Sequence, residues 1–215
     1  SILKADFFRY LILFARGGVY SDIDTVNIKP IDQWLSANET LYNKPNNPGL
    51  VVGIESDPDR PDWHDWYARR IQFCQWTIQA KKGHPMLREL IAHITDLTLT
   101  RKKKGTLKKV LGKDQGGDIM EWTGPGIWTD YVFKYFNNIL QPHENFNSKR
   151  YEEIITWKVF TGIEVPIVID DVMVLPITSF SPGVGHMGSK SVDDPLAYLQ
   201  HIFLGSWKND KERSS

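Results

Sequence analysis

Apolar side chains recur every three or four positions in the first segment of the chain, with charged side chains between them. This spacing places the apolar groups on one face of a helix and predicts a helix over residues 2–15. The same periodicity predicts further helices over residues 64–80, 85–103, 126–137 and 195–203.

Short apolar runs lie between these helical segments and predict strands over residues 19–21, 50–54 and 172–175. Gly17 and Gly18 separate the first helix from the first strand, and glycine readily takes the left-handed conformation that ends many helices. Because helices alternate with short strands, we predict an α/β fold in which helices pack on a sheet.

The composition is that of an ordinary globular domain, and it narrows the range of partners. The 215 residues include 26 basic and 26 acidic side chains, so no net charge attracts the chain to nucleic acid or to an anionic membrane. No run of about 18 apolar residues occurs that could form a membrane span within the sequence. We expect one domain over residues 1–207, followed by a polar tail over residues 208–215.

Several side chains of the second predicted helix are expected in the core. Trp63, Trp66 and Trp76 fall at spacings that fit packing inside the domain, so we do not assign them to glycan binding. Cys74 is the only cysteine, so an intrachain disulfide is excluded, and its apolar neighbours predict a buried thiol.

Two pairs of aspartates share the same spacing, and their surroundings distinguish them. Asp22 and Asp24 follow a predicted strand, where residues two apart point to the same face, so we expect Ile23 to face the core. Two carboxylates at the carboxyl end of a strand suit Mg²⁺ or Mn²⁺ shared with a diphosphate. Asp57 and Asp59 lie among prolines, where aspartate typically accepts local backbone hydrogen bonds, so we interpret that pair as structural.

Two further interpretations bear on the first pair. Asp22 also fits the nucleophile position of haloacid-dehalogenase-type phosphohydrolases, although only a short strand precedes it. Asp6 and Arg9 lie three apart on one face of the first helix, and near a metal they would supply an acceptor for sugar hydroxyls and a cation for developing charge. The alternative for Asp6 and Arg9 is an exposed ion pair within the helix.

Four residues are candidates for contacts on the acceptor side of a transfer reaction. Glu55 ends a predicted strand, and Asp171 precedes another, where a turn cap is the alternative. Thr123 precedes a predicted helix, where backbone N–H groups can bind a sugar or phosphate and where Thr can also act as an N-terminal cap. His186 lies between glycines in a predicted loop, either at the site or simply at the surface.

Longer stretches of the chain resemble a known family. KADFFRYLILFARGGVYSDIDT resembles the DXD region of glycosyltransferase family 32, whose members have the GT-A fold, and it is also similar to the sugar-binding segment of the large clostridial glucosylating toxins. The ordered set of further motifs is similar to that of the fungal initiation-specific alpha-1,6-mannosyltransferase group. These motifs are GLVVGIESDPDRPDWHDWYARRIQFCQWTIQAKKGHP, WTGPGIWTD, VLPITSFSPGVGHMGSK and HIFLGSW.

The resemblance implies a reaction and a location. Enzymes of this group are type II membrane proteins of the Golgi, in part within mannosyltransferase complexes. They transfer mannose from GDP-mannose to the core of an N-linked glycan with retention of the anomeric configuration. The resemblance therefore implies a GT-A-like domain, an Mn²⁺ (or Mg²⁺) cofactor, a membrane link only through an anchor outside this chain, and no nucleic-acid partner.

The resemblance also implies roles for residues of the first segment. Asp22 and Asp24 match the DXD motif that contacts the metal, with Asp22 also on the side of the donor's ribose and sugar. Asp6 and Arg9 match the pair that holds the donor sugar, and Arg9 would stabilise the departing diphosphate. Tyr20 matches the aromatic position just before the motif.

The last segment carries two further positions of the family pattern. His201 and Trp207 fall in the part that closes over the diphosphate, with His201 as a further metal or diphosphate contact. GT-A domains begin with a strand and a helix that bind the nucleotide base, and no residues before Ser1 supply them. We therefore expect a fragment of a longer protein, and a catalytically inactive, lectin-like relative is the alternative.

Overall fold

A mixed β-sheet organises the chain in a computed structural model that describes residues 2–108, 118–140 and 154–203. The helices are α1 (Ile2–Arg16), α2 (Pro85–Lys103), α3 (Asp118–Trp122), α4 (Pro125–Leu140) and α5 (Ile177–Phe180). The strands are β1 (Gly18–Ser21), β2 (Thr25–Asn27), β3 (Thr40–Leu41), β4 (Lys44–Pro45), β5 (Leu50–Ser56), β6 (Gln72–Phe73), β7 (Thr77–Ala80), β8 (Ile167–Ile169), β9 (Val172–Leu175) and β10 (Leu199–His201).

Three strands of the sheet run in the same direction, so their carboxyl ends lie along the same side of the sheet. The order is β1-β7-β5-β9-β8, and β6 pairs with β5. β5 and β9 are parallel, whereas β1 and β5 are each antiparallel to β7 and therefore parallel to each other. We call the edge at which β1, β5 and β9 end, at Ser21, Ser56 and Leu175, the carboxyl edge.

The alternation of side chains along β5 divides the core into two layers. Leu50, Val52 and Ile54 face α1, α2 and α4, which cover one side of the sheet. Val51 faces the opposite side, where Phe180 of α5 packs with Trp34 and Trp76. The sheet is thus buried on both faces, which explains the nearly continuous apolar run of β5.

Most of the predicted elements are confirmed. The structure has helices where residues 2–15, 85–103 and 126–137 predict them, and strands where residues 19–21 and 172–175 predict them. The strand predicted over residues 50–54 continues to Ser56. Gly17, with φ of 69°, donates its N–H to the carbonyl of Leu13 (2.7 Å) and ends α1 as expected.

Two predicted helices are wrong because long-range strand pairing decides these segments. The region predicted as a helix over residues 64–80 instead contains β6 and β7, and β7 fills the space between β1 and β5. The helix predicted over residues 195–203 is replaced by β10, which pairs with β2. Helical spacing within one segment carries no information on such partners.

The core predictions for single side chains are confirmed in part. Cys74 and Trp76 are buried. Trp66, in contrast, is 66% exposed, so its assignment to the core is wrong. In the described part of the chain, each helix is too short or too polar to cross a bilayer.

We predict that Gly53→Ala destabilises the sheet, because a Cβ atom at this position would lie 2.4 Å from Cδ2 of Phe180. The Phe180 ring is enclosed by Trp34 and Trp76 and has no room to withdraw. The expected loss in the free energy of unfolding is about 1–3 kcal/mol, measured by urea denaturation with tryptophan fluorescence.

The double variant Gly53→Ala/Phe180→Leu provides the control, since the smaller side chain makes room for the added methyl group. The loss in the double variant should be less than the sum of the two single losses. Additive losses, or an unchanged midpoint for Gly53→Ala, would contradict this account of the contact.

Candidate active site

The first aspartate pair lies in the tight turn between β1 and β2, at the carboxyl edge. The backbone N–H of Asp22 donates to the carbonyl of Trp76 (2.8 Å), and the hydroxyl of Thr25 donates to the carbonyl of Asp22 (2.8 Å). The carbonyl of Asp24 accepts the N–H of Ile202 (2.9 Å). The turn is therefore tied to its neighbours on both sides, and both carboxylates have fixed positions.

This turn corrects one expectation from the sequence. The strand ends at Ser21, so the alternation of side chains does not continue through Asp22 and Asp24. Ile23, predicted to face the core, is 95% exposed at the tip of the turn. The two carboxylates are brought together by the reversal of the chain rather than by the pleat of a strand.

Arg9 joins two carboxylates that belong to different elements. Its Nη2 atom lies 3.2 Å from Oδ1 of Asp6 and 3.3 Å from Oδ1 of Asp22. The hydroxyl of Tyr20 donates to the same Oδ1 of Asp22 (2.8 Å), and the guanidinium lies over the Tyr20 ring at 5.4 Å. Asp6 and Arg9 are both buried, so the alternative of an exposed ion pair is wrong.

Thr123 supports Asp6 from the loop before α4. Its hydroxyl donates to Oδ2 of Asp6 (2.9 Å). The N–H groups of Thr123 and Gly124 both donate to the carbonyl of Ile119 (3.1 and 2.8 Å). Contrary to the expectation from the sequence, these two groups are therefore not available to a ligand. The carbonyl of Thr123 accepts the hydroxyl of Tyr10 (2.9 Å). Thr123 thus lies beside Asp6 as part of the buried network.

His201 joins the aspartate pair from β10. One ligand atom from each of Asp22, Asp24 and His201 lies within 4.8 Å of the other two, which is the geometry of a possible cation site. Nε2 of His201 is 3.4 Å from Oδ1 of Asp24, and its ring packs on Trp76 with centroids 4.7 Å apart. Nδ1 accepts the N–H of Phe203 (3.0 Å), so the neutral ring carries its proton on Nε2. Burial lowers the pKa of His201, and the carboxylate of Asp24 offsets this only in part.

Glu55 lies on β5 close to the carboxyl edge. Oε2 of Glu55 accepts the side-chain amide of Gln72 (2.9 Å), and Arg9 is near enough to favour the charged form of Glu55. The indole of Trp76 faces Glu55 and also favours its charged form, although the buried indole N–H makes no hydrogen bond among the described residues. Desolvation outweighs these effects and raises the pKa of Glu55.

Asp171 lies at the wrong end of the sheet for an acceptor contact. It precedes Val172, which pairs with Leu50 at the beginning of β5, whereas the carboxyl edge lies at the other end of that strand. Its carboxylate accepts hydrogen bonds from Nε2 of His84 (3.1 Å) and the hydroxyl of Tyr135 (3.1 Å). The acceptor-side expectation for Asp171 is therefore wrong, and the residue is structural.

Two further predicted site residues, His186 and Trp207, make no described contact with the aspartate pair. The side chain of His186 is exposed in the loop after α5, and the neighbouring Met187 accepts the N–H of Asp57 through sulfur (3.3 Å). This contact places the loop of His186 near the carboxyl edge, without a described contact between its side chain and the aspartates. Trp207 lies outside the described residues.

The second aspartate pair does not resemble the first. The Asp57 carboxylate accepts from Arg70 (2.6 Å), from the hydroxyl of Thr161 (2.8 Å) and from the N–H of Gly162 (2.7 Å). These partners join distant segments and saturate the carboxylate, so Asp57 is structural through long-range rather than local hydrogen bonds. Asp59 is exposed.

Sequence reasoning missed Gln75 and the site contacts of Trp76. The amide of Gln75 donates to the carbonyl of Thr123 (2.7 Å) and to the hydroxyl of Tyr10. The helix predicted over residues 64–80 gave no indication of the contacts of either residue. The available signal was the run of apolar residues IQFCQWTIQA, which is as typical of buried strands as of a helix.

Comparisons with known proteins identify a family model and relatives that match this chain. Residues 1–41, which hold α1 and the turn, match the family model described as the glycosyltransferase sugar-binding region containing the DXD motif. The chain is 72% identical to the initiation-specific alpha-1,6-mannosyltransferase of Candida albicans, over 98% of this chain and 55% of the relative. The proteins of the same name from Schizosaccharomyces pombe and Saccharomyces cerevisiae are 53% and 41% identical, over 97% and 100% of this chain.

The chain spans only part of these relatives. It covers 48% of the Schizosaccharomyces pombe protein and 65% of the Saccharomyces cerevisiae protein. It therefore corresponds to between about half and two thirds of the length of the curated relatives that it matches.

Asp6 generates a testable pH dependence. Burial raises the pKa of its carboxyl from 3.8 to about 6, and Arg9 offsets this only in part. The folded chain therefore holds this proton more tightly than the unfolded chain. Asp6 contributes its full stabilisation below pH 3.8, and that contribution is lost as the pH rises through 6, by about 3 kcal/mol in total.

Urea denaturation of the wild type and Asp6→Asn between pH 4 and 7 measures this effect. The stability of the wild type relative to the variant should fall as the pH rises, because asparagine does not titrate. Asp59→Asn, which replaces an exposed aspartate, should follow the wild type. Parallel curves for Asp6→Asn and the wild type would show that Asp6 titrates normally.

Proposed function

Since this chain carries the DXD-containing sugar-binding region of glycosyltransferases and is a relative of the fungal initiation-specific alpha-1,6-mannosyltransferases, we propose that it is a metal-dependent glycosyltransferase. The proposed donor is GDP-mannose, and the proposed product is an alpha-1,6-linked mannose on the core of an N-linked glycan. The proposed fold type is GT-A-like, the proposed location is the Golgi lumen, and a mannosyltransferase complex is the proposed setting.

One observation carries this proposal: buried charges and unpaired donors gather at the carboxyl edge. Removing charged groups from water is costly, and such clusters are common at functional sites. Nε of Arg9 and Nε1 of Trp76 are buried N–H donors without partners among the described residues. A cluster of buried charges of this kind suits a ligand with oxygen acceptors, such as a sugar with its diphosphate.

The residues of the turn fit a divalent cation. The carboxylates of Asp22 and Asp24 suit Mg²⁺ or Mn²⁺, and the imidazole of His201 favours Mn²⁺, because Mg²⁺ prefers oxygen ligands. When bound, the cation would neutralise charge on the leaving diphosphate. Protons would compete with the cation for the imidazole of His201 and for the two carboxylates, so cation binding should weaken at low pH.

The protein's own side chains have separable roles in this proposal. Asp6 accepts hydrogen bonds from hydroxyls of the donor sugar, and Arg9 stabilises negative charge on the diphosphate. Tyr20 fixes the carboxylate of Asp22 through its hydroxyl. In a retaining transfer, the acceptor hydroxyl attacks from the face that the nucleotide leaves, so a second catalytic carboxylate on the opposite face is not required.

The contacts of Asp22 weigh against a phosphohydrolase. Its two carboxylate oxygens are engaged by Arg9 and Tyr20, which lowers their availability as nucleophiles. The strand before Asp22 is also short and lies at the lateral edge of the sheet, whereas a haloacid-dehalogenase-type nucleophile follows a long buried strand. The arrangement favours ligand binding by Asp22 over covalent attack.

Asp24→Asn tests the proposed function. The variant should lower Mn²⁺-dependent hydrolysis of GDP-mannose by about 100-fold or more, because it removes a cation ligand and with it stabilisation of the leaving group. Hydrolysis is measured across several nucleotide sugars with and without Mn²⁺, and circular dichroism checks that the fold is unchanged.

The matched control is Asp59→Asn, the second aspartate of the pair with the same spacing, which should hydrolyse the donor like the wild type. Undiminished hydrolysis by a folded Asp24→Asn would reject the proposed metal role. Cation-dependent GDP binding without turnover in the wild type would indicate a lectin-like protein, and phosphate release from a generic phosphomonoester would indicate a phosphohydrolase.

A further inference from the structure

Residues 57–67, here called the edge loop, leave the carboxyl edge directly after β5 and carry one exposed aromatic side chain, Trp66, beside the half-buried Trp63 and Tyr67. Trp66 is 66% exposed, whereas Trp34, Trp76, Trp122 and Trp128 are buried. The amphipathic indole of Trp66 can serve as a platform on which the apolar face of a ligand packs.

The exposed indole has one polar neighbour. The guanidinium of Arg60 lies 5.4 Å from the centre of the Trp66 ring. Arg60 is paired with Asp62, whose two carboxylate oxygens accept from Nε and Nη2. Arg60 therefore contacts the ring of Trp66 while most of the indole surface stays accessible to a ligand.

The end of the edge loop is connected to the candidate active site through Gln72. Its side-chain carbonyl accepts the N–H of Ala68 (3.1 Å), and its amide donates to Glu55 (2.9 Å). Tyr67 lies close enough to Glu55 that the carboxylate contributes to raising the pKa of the phenol, behind desolvation. Glu55, in turn, is near Arg9. A chain of contacts through Gln72 and Glu55 therefore links the end of the edge loop to the donor-side cluster.

A second connection runs through the beginning of α4. A Cβ atom on Gly126 would lie 3.3 Å from Cβ of Ala68, so the base of the edge loop packs against that helix. Thr123, three residues earlier, donates to Asp6. The edge loop thus lies between Glu55 and the segment that supports Asp6.

The composition of the edge loop identifies the class of ligand. It contains four aspartates and one arginine, so a polyanion such as nucleic acid is disfavoured. A neutral sugar suits it, because the C–H face of a pyranose ring stacks on the electron-rich face of an indole and its hydroxyls donate to carboxylates. Glu55, which lies near Tyr67, and Asp65, which precedes Trp66 in sequence, are such acceptors; Glu55 also accepts from Gln72, and Asp65 contacts His64.

We propose that the edge loop is the subsite that binds a neutral, mannose-containing glycan as the acceptor, with Trp66 as the stacking platform and Glu55 and Tyr67 at its inner end. The mannose content of the ligand and its role as the acceptor rest on the proposed function, whereas the binding of a neutral sugar does not. It also replaces the expectation that Trp66 is a core residue.

Direct binding of an α-linked mannotetraose, measured by calorimetry without donor or metal, tests the proposal. The wild type should bind the oligosaccharide, and Trp66→Ala should weaken binding by about tenfold, as expected for the loss of one stacking contact. Trp66→Phe should retain most of the affinity, because it keeps an aromatic face. Circular dichroism verifies that the variants are folded.

The control is Tyr42→Asn, which removes another exposed aromatic ring. Tyr42 is 58% exposed and donates its hydroxyl to the carbonyl of Pro166, beside β8, the lateral strand farthest from β1. Its φ of 51° is well suited to asparagine. This variant should bind mannotetraose like the wild type.

The two proposals fail in different ways. If the wild type binds mannotetraose through Trp66 but does not turn over a sugar donor, the glycan subsite stands and the catalytic proposal fails. If donor hydrolysis is intact in Trp66→Ala while the acceptor KM in transfer rises, both stand. Equal binding by Trp66→Ala and the wild type, or no binding by the wild type, would overturn the edge-loop proposal whatever the enzyme activity.

Discussion

The buried bridge made by Arg9 is the interaction on which the rest of the site depends. It joins Asp6 on α1 to Asp22 in the turn after β1, two carboxylates that would otherwise repel each other in a poorly solvated space. The same bridge fixes α1 against the carboxyl edge. With part of the charge of Asp22 balanced by Arg9, the carboxylate of Asp24 faces His201 and is available to a cation.

The sheet determines where this bridge can form. β7 lies between β1 and β5, and Trp76 directly precedes it. The carbonyl of Trp76 accepts the N–H of Asp22, and its ring packs on His201. The opposite side of Trp76 packs on Phe180 in the core. Core packing and site geometry therefore share one side chain, and a change in the register of β7 would displace both.

The predictable features were those set by neighbours in sequence. The three-residue spacing of Asp6 and Arg9 and the glycines after α1 indicated a cluster at the turn, and the surroundings of Asp57 indicated a structural role. Features that depend on distant partners were not predictable. Thr123 contacts Asp6 across 117 positions, and β10 exists only because β2 pairs with it. Trp66 is exposed because its segment is an edge loop rather than a helix. Ile23 was misplaced because a turn, not a pleat, joins the two aspartates.

We propose that the turn between β1 and β2 holds a divalent cation together with a nucleoside diphosphate. Anomalous diffraction from crystals of the protein grown with Mn²⁺ and GDP can locate both groups. We expect a manganese peak coordinated by Asp22, Asp24 and His201, with the diphosphate beside Arg9. A peak at Asp57 and Asp59 instead, or diphosphate bound without any manganese at the turn, would contradict it.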